Sequence, residues 1–317
     1  MQFALGFILL LILIGFLYEQ VARYKAKSYK IEGEFVDVGG HKLHYLKKGS
    51  GKATIIFESG TDFGGHIIWR NIQDKLSKNF TTLSYDKAGT LHSQRGNNPK
   101  TCAAIAQELH IMIEKLDLPK PYILVGHSLA GLTLRAFIDK YPEDVVGMVL
   151  LDPAHPDGLD SFSKKIRKLY TTTPPKWLVS LLMPIGIIRV MFVKLINKFS
   201  GDAVKSEREN IQEALDLIHK GFDAYRDEFS NFQQLSNEVK GLEFRDVPIM
   251  ILGATKHPFK DKEHQEAINI MTKLHEQTVE KSLDGRYIAV DSAHTIQFEK
   301  PELIIKTVEE FAKKTLS

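Results

Sequence analysis

The segment Tyr122-Ile-Leu-Val-Gly-His-Ser-Leu-Ala-Gly131 runs from a short apolar stretch into Ser128 and then directly into an amphipathic one. A G-x-S-x-small string between a strand and a helix holds its serine at a sharp, exposed corner, where the hydroxyl can act as a nucleophile. Small residues at Gly126, Ala130 and Gly131 relieve the crowding where the two elements meet. The plain alternative is that Ser128 only caps the helix, since serine is a favoured N-cap. A serine hydroxyl is weakly nucleophilic by itself, so the chemistry requires a base within hydrogen-bond reach and a partly buried carboxylate behind that base. His294 follows a strand-like run and precedes Pro301-Glu302, which opens the last helical stretch. Asp152 ends the apolar run Val149-Leu-Leu, and Asp261 lies eight residues beyond Gly253.

These residues need a frame. From Tyr29 onward strand-like and helix-like segments alternate, the pattern of a mostly parallel α/β sheet flanked by helices. Strands are expected at 34–38 and 42–47, joined by a Gly39-Gly40 turn, and at 54–57, 81–85, 122–125, 145–151, 248–252 and 286–290. Helices are expected near 67–76, 102–116 and 129–140. Residues 157–246 interrupt the alternation with a mostly helical pattern that has no repeat or low-complexity tract, and so read as an inserted lid. Within it, residues 177–199 are apolar but broken by Pro184, Arg189, Lys194 and Lys198, which suggests a helix pair interrupted at Pro184 in place of a membrane span. The expected organisation is a membrane anchor with its basic flank at 1–28, a first core part at 29–156, the lid at 157–246 and a second core part at 247–317.

At the Gly-His-Ser-Leu-Ala-Gly string the chain resembles the α/β-hydrolase superfamily, in its serine esterase and lipase branch. The resemblance extends from about Glu34 to the C-terminus. Thr54-Ile-Ile-Phe-Glu-Ser-Gly-Thr-Asp62 stands where the family has a strand ending in His-Gly, with Glu58-Ser59-Gly60 in its place. The resemblance implies an oxyanion hole made by the backbone N–H of Leu129 and that of Thr61 or Asp62. Ser84-Tyr-Asp-Lys-Ala-Gly-Thr-Leu-His-Ser93 matches the family's D-x-x-G-x-G-x-S turn, with Leu91 at the second glycine; Asp86 there reads as a turn cap. His294 occupies the position of the family's catalytic histidine.

The superfamily usually carries its acid after the penultimate strand. Here Ile249-Met-Ile-Leu-Gly-Ala-Thr-Lys-His-Pro258 has no Asp or Glu before Asp261, which is farther from Gly253 than the G-x-x-D spacing allows. Some lipases place the acid one strand earlier in an L-D-P-A string, and Leu151-Asp-Pro-Ala154 is similar. The triad implied is therefore Ser128, Asp152 and His294, with Asp261 the alternative acid.

His127 reads as a packing residue beneath the elbow, and His155 and His257 as loop residues near strand ends. His41 and His44 lack the spacing of a metal pair, and no H-E-x-x-H, EF-hand, Walker or G-x-G-x-x-G string occurs, so no metal or other cofactor is expected. A serine at the elbow points away from the dehalogenase and epoxide hydrolase branches, which use Asp there. The expected function is hydrolysis of lipophilic carboxylic esters. An acyltransferase or thioesterase on the same scaffold, or a non-catalytic ligand-binding relative, stays open. Oligomeric state is not readable.

The chain has 317 residues, 43% hydrophobic and 26% charged, with 42 Lys+Arg against 39 Asp+Glu and a formal charge of +3. That composition is globular and gives no general basis for nucleic-acid binding. Cys102 is the single cysteine, which excludes an intramolecular disulfide framework. Residues 3–18 form an unbroken run of apolar residues and glycines followed by Arg23, Lys25, Lys27 and Lys30. With no basic residue before the run and no A-x-A site after it, an uncleaved membrane helix is expected over a signal peptide, with the remaining chain on the cytoplasmic side. The small net charge also conceals segregation: residues 157–199 carry eight Lys/Arg and two Asp, whereas 200–246 carry six Lys/Arg and eleven acids. The first half of the insertion is thus a candidate contact for an anionic leaflet.

Overall fold

A computed structural model describes residues 2–62, 64–200, 207–244 and 246–316. Its eight strands are β1 (Glu34–Asp37), β2 (Lys42–Lys48), β3 (Thr54–Glu58), β4 (Thr81–Tyr85), β5 (Tyr122–His127), β6 (Val145–Leu151), β7 (Ile249–Ala254) and β8 (Gly285–Val290). They form one sheet in the order β1-β2-β4-β3-β5-β6-β7-β8, in which β2 runs antiparallel to both of its neighbours, β1 and β4, and the remaining pairs are parallel. The central strands bury both faces. Ile55, Phe57, Ile123, Val125, Val149 and Leu151 pack into one core cluster, while Ile56, Leu124, Met148 and Leu150 pack into another. This two-sided burial explains why these strands read as continuous apolar runs without alternation.

Helices α2 (Arg70–Leu76), α3 (Cys102–Leu116) and α4 (Ala130–Lys140) follow β3, β4 and β5. Thr101 caps α3, its side chain accepting the Ala104 N–H. Between β6 and β7 lie α5 (Gly158–Ser161), α6 (Lys164–Thr171), α7 (Lys176–Leu182), α8 (Ile187–Ser200), α9 (Arg208–Asp216), α10 (Ile218–Ser230) and α11 (Phe232–Glu238). The break between α7 and α8 contains Pro184 and bends the pair by 95°. Residues 201–206 and 245 of the expected 157–246 lid lie outside the described residues, as does Met1 of the expected anchor. The chain closes with α12 (Lys262–Glu280), α13 (Ile296–Glu299) and α14 (Pro301–Thr315).

Before the sheet stands α1 (Gln2–Ser28), long and apolar enough to cross a membrane, with the side chains of its apolar run largely exposed. Its C-terminal part is docked: Glu19, Ala22 and Ala26 are buried, and Ala26 packs with Ile67, Leu91 and Leu217. In the insertion, Glu228 of α10 accepts a 2.8 Å bond from Lys87, just beyond β4, and both side chains are buried. That ion pair pins the insertion to the sheet.

Candidate active site

The chain passes from β3 outward to β4 and then returns to β5 on the other side of β3, so a crevice opens beyond the carboxyl ends of β3 and β5. Register makes those ends level, pairing Glu58 with Gly126, and it also pairs His127 with Leu151 and Leu151 with Leu252. Ser128 and Asp152 are consequently each the first residue beyond neighbouring strands. Both have positive φ, 55° at Ser128 and 40° at Asp152, a strained conformation for side-chain-bearing residues. Surrounding bonds hold them there: Ser128 N–H donates to Leu151 O, Ala154 N–H to Ser128 O, and Asp152 N–H to Leu252 O, at 3.1, 2.7 and 2.8 Å.

The small residues of the elbow are sterically required. A Cβ on Gly126 would lie 2.8 Å from Ala130 Cβ, and one on Gly131 would lie 2.4 Å from the Ala154 carbonyl oxygen. On Gly60, in the turn after β3, it would lie 2.7 Å from Ser128 Cβ. Gly60 thus leaves space beside Ser128.

His294, four residues past the end of β8, lies between the other two side chains. Its Nδ1 is 2.6 Å from Asp152 Oδ2 and its Nε2 is 2.9 Å from Ser128 Oγ. A carboxylate only accepts, so Nδ1–H donates to Asp152 and Nε2 is left to accept the Ser128 hydroxyl proton. Burial alone would raise the Asp152 pKa, but the hydrogen bond and charge of His294 hold it below the ordinary value. Ala254 N–H donates to the other Asp152 oxygen at 3.1 Å. Asp261 is placed elsewhere: it caps α12, accepting the His264 N–H at 3.2 Å and His264 Nδ1–H at 2.7 Å. This arrangement can withdraw a proton from Ser128 and stabilise the resulting imidazolium.

The N–H groups of Leu129 and Thr61 have no acceptor among the described residues. Asp62 is engaged through its side chain, Oδ1 accepting from Gly64 and Gly65 N–H at 2.8 and 3.0 Å, and burial pushes its pKa up to about 6. Glu58 is buried and accepts from the Tyr85 hydroxyl and from Thr133 Oγ1 at 2.6 Å. It ties β3, β4 and α4 together beneath the site.

Two further histidines brace the catalytic candidates. His127 is buried, its Nε2–H donating to the His294 carbonyl at 3.0 Å, and burial lowers its pKa to about 3, so it stands neutral. His275 of α12 donates Nε2–H to the Pro153 carbonyl at 2.7 Å, one residue beyond Asp152. The sequence reading missed His275; its only signal is a histidine on the buried face of an amphipathic helix. His155 Nδ1 accepts the Asp157 N–H, and His257 Nδ1 accepts the Phe259 N–H while its ring stacks on His264.

Asp86 does more than cap a turn. It is buried and accepts from Nδ1–H of His44 and of His66, at 2.9 and 2.8 Å, and from the backbone N–H of His66 and His92. The ligand atoms of His44, His66 and Asp86 lie within 4.8 Å of one another, yet these hydrogen bonds already join them. His44 pairs with that carboxylate, while His41 faces Glu108 at 3.2 Å. The cluster fixes the turn after β4 to β2 and to the helical turn at 65–69.

The family profile described as alpha/beta hydrolase fold matches residues 55–178. The chain has the α/β-hydrolase fold, a mostly parallel sheet with flanking helices, and is similar to that family over those residues. Similar curated proteins include two uncharacterized Bacillus subtilis proteins. YqjL is 31% identical over 128 residues, covering 40% of this chain and 48% of that protein; YbdG is 23% identical over 312 residues, covering 92% and 88%. The match to YqjL therefore spans about half of that relative's length. Among solved structures, the epoxide hydrolase CorEH superposes with a TM-score of 0.68 at 18% identity, covering 90% of this chain and 99% of that one. A thermophilic esterase from Thermogutta terrifontis gives 0.59 at 16% identity, covering 90% and 100%.

Proposed function

We propose that the protein is a membrane-anchored serine hydrolase that cleaves lipophilic carboxylic esters through Ser128, His294 and Asp152. The carrying observation is the placement of His294 between Ser128 Oγ at 2.9 Å and Asp152 Oδ2 at 2.6 Å. Ser128 Oγ attacks the ester carbonyl carbon as His294 Nε2 takes its proton, and Asp152 stabilises the imidazolium. The N–H groups of Leu129 and Thr61, which have no acceptor among the described residues, are the donors assigned to the tetrahedral oxyanion, with Asp62 N–H the other candidate. As the intermediate collapses, His294 gives its proton to the departing alcohol; water, activated by the same imidazole, then releases the acid and restores Ser128. A serine at the elbow favours this acyl-enzyme route over the epoxide opening of CorEH-like neighbours.

The membrane reading is supported by the exposed apolar run of α1. It is also supported by the docking of the end of α1, because cleavage beyond the run would leave the buried partners of Glu19, Ala22 and Ala26 uncovered. The basic residues that follow the run support a cytoplasmic position for the enzyme.

A fluorophosphonate probe and p-nitrophenyl esters of graded chain length test the chemistry. The adduct is expected on Ser128, and Ser128→Ala is expected to abolish both labelling and turnover. Retained turnover in Ser128→Ala would refute the mechanism.

A further inference from the structure

The two ends of the α7–α8 break and the anchor meet backbone to backbone. A Cβ on Gly15 would lie 2.3 Å from the Ile185 carbonyl oxygen, and one on Gly186 would lie 2.6 Å from the Gly15 carbonyl oxygen. One turn along, Glu19 of α1 accepts two hydrogen bonds from Arg189 of α8, at 2.8 and 3.1 Å, and both side chains are fully buried. Arg189 also donates to the Leu215 carbonyl at the end of α9, and Arg23 donates to Glu19 at 2.8 Å. A buried carboxylate and guanidinium this well paired define one docking register, because removing either leaves an uncompensated charge. The helix that carries the anchor is therefore locked to the insertion.

That register sets a depth. Gly15 stands three residues inside Tyr18, the end of the apolar run, which is about 4.5 Å along a helix axis. If the run spans a bilayer, the α7–α8 break lies within the same leaflet. The exposed side chains there suit that position: Trp177, Leu181, Ile187, Val190, Met191 and Leu195 are all exposed, as is most of the apolar run of α1 that meets this break at Gly15. At 7 and 14 residues, α7 and α8 are each too short to cross a hydrocarbon core of about 30 Å. Lys176 opens α7, and exposed Lys194 lies one turn from Met191; such residues reach back to headgroups while their helices sit lower.

We infer that the α7–α8 pair is a second membrane-embedded element, seated beside α1 in an anionic bilayer, so that the insertion over the site is fixed to the lipid from which substrate enters. The inference rests on α1 being an anchor, as proposed above. A row of rings connects this element with the interior of the insertion: Phe192 of α8 packs on Tyr225 at 5.6 Å, Tyr225 on Phe229 at 5.5 Å, and Phe229 on Tyr170 at 6.2 Å between centroids. Tyr170 is near enough to the triad to feel the charge of Asp152, which adds to burial in raising its pKa. The row leads from α8 through the interior of the insertion to Tyr170.

The test uses the full chain reconstituted into phosphatidylcholine vesicles containing about 30% phosphatidylglycerol, an anionic fraction that satisfies basic flanks. Trp177 and the core residue Trp69 are the only tryptophans, so the difference between wild type and Trp177→Phe isolates one reporter. Brominated acyl chains are expected to quench the Trp177 signal at least twofold. A second reporter, Met191→Cys, is expected to react with a water-soluble maleimide at least tenfold more slowly in vesicles than Lys220→Cys, the native Cys102 being buried. Flotation with the vesicles, an unquenched Trp177 and a rapidly labelled Met191→Cys would overturn the inference and leave the anchor reading standing. Failure to float would overturn both. Fluorophosphonate labelling of the same samples reports the Ser128 chemistry separately.

Discussion

His127 and His294 are joined through backbone and ring: Nε2–H of His127 donates to the His294 carbonyl at 3.0 Å, and the two ring centroids are 4.7 Å apart. The residue before the proposed nucleophile thus anchors the loop that carries the proposed base. A single short segment, His127-Ser128, sets both ends of the proton-transfer geometry.

Replacing His127 should therefore act on the chemical step more than on substrate binding. His127→Phe is expected to lower kcat about 100-fold, the scale of a misplaced reacting group, with KM changed little. His127→Gln retains an N–H near the Nε2 position and is expected to recover most of the loss. Steady-state kinetics on a p-nitrophenyl ester checks the split, and an unchanged kcat in both variants would remove His127 from a positioning role.

The two acids separate cleanly in space and should do so in activity. Asp152→Asn is expected to lower kcat by about four orders of magnitude, since the imidazole then loses its tautomer control. Asp261→Asn alters only the charge of a surface helix cap and is expected to leave kcat within about twofold. The reverse pattern would reassign the acid.

Acid should destabilise the fold through its buried neutral histidines. Burial lowers the pKa of His127 to about 3 and lowers that of His275 as well, below the unfolded value near 6.5. Groups with depressed folded values contribute their stability in full above about pH 6.5 and lose it as pH falls toward the folded pKa. Urea unfolding at pH 7.5, 5.5 and 4.5 is expected to show falling stability, with a shallower dependence in His127→Phe and in His275→Phe. Equal slopes in wild type and both variants would sink this account.

Lys87 and Glu228 are each about 2% exposed and bridge the sheet to α10. Lys87→Met leaves a buried carboxylate without its partner and is expected to cost about 3–5 kcal/mol. The double variant Lys87→Met with Glu228→Gln should recover much of that loss, as measured by urea titration. A non-recovering double variant would mean that packing, not charge, dominates at this contact.

Much of the frame was legible because strand and helix periods are local. The apolar runs that became β3 to β7, the Gly39-Gly40 hairpin, the helix after Ser128 and the break at Pro184 depend on neighbours a few residues away. The small residues in Gly126-His-Ser-Leu-Ala-Gly131 likewise meet a local steric requirement, now visible as Cβ clashes at Gly126 and Gly131. The same locality allowed Asp152 and Asp261 to be named but could not separate their surroundings. What separates them is register: Leu151 pairs with both His127 and Leu252, which puts the next residue, Asp152, beside Ser128 and within reach of a loop 142 residues away.

Sequence alone determined the α/β class, the sheet's apolar strands and the small residues the elbow requires, since each follows from spacing within one segment. Tertiary structure alone decided which groups share a buried space. Asp86 gathers three histidines from different segments, His275 reaches back to Pro153 from α12, and Glu19 of the apolar helix meets Arg189 some 170 residues later. Such partners are polar groups that burial obliges to pair, and burial is a property of the folded surface that no local pattern contains.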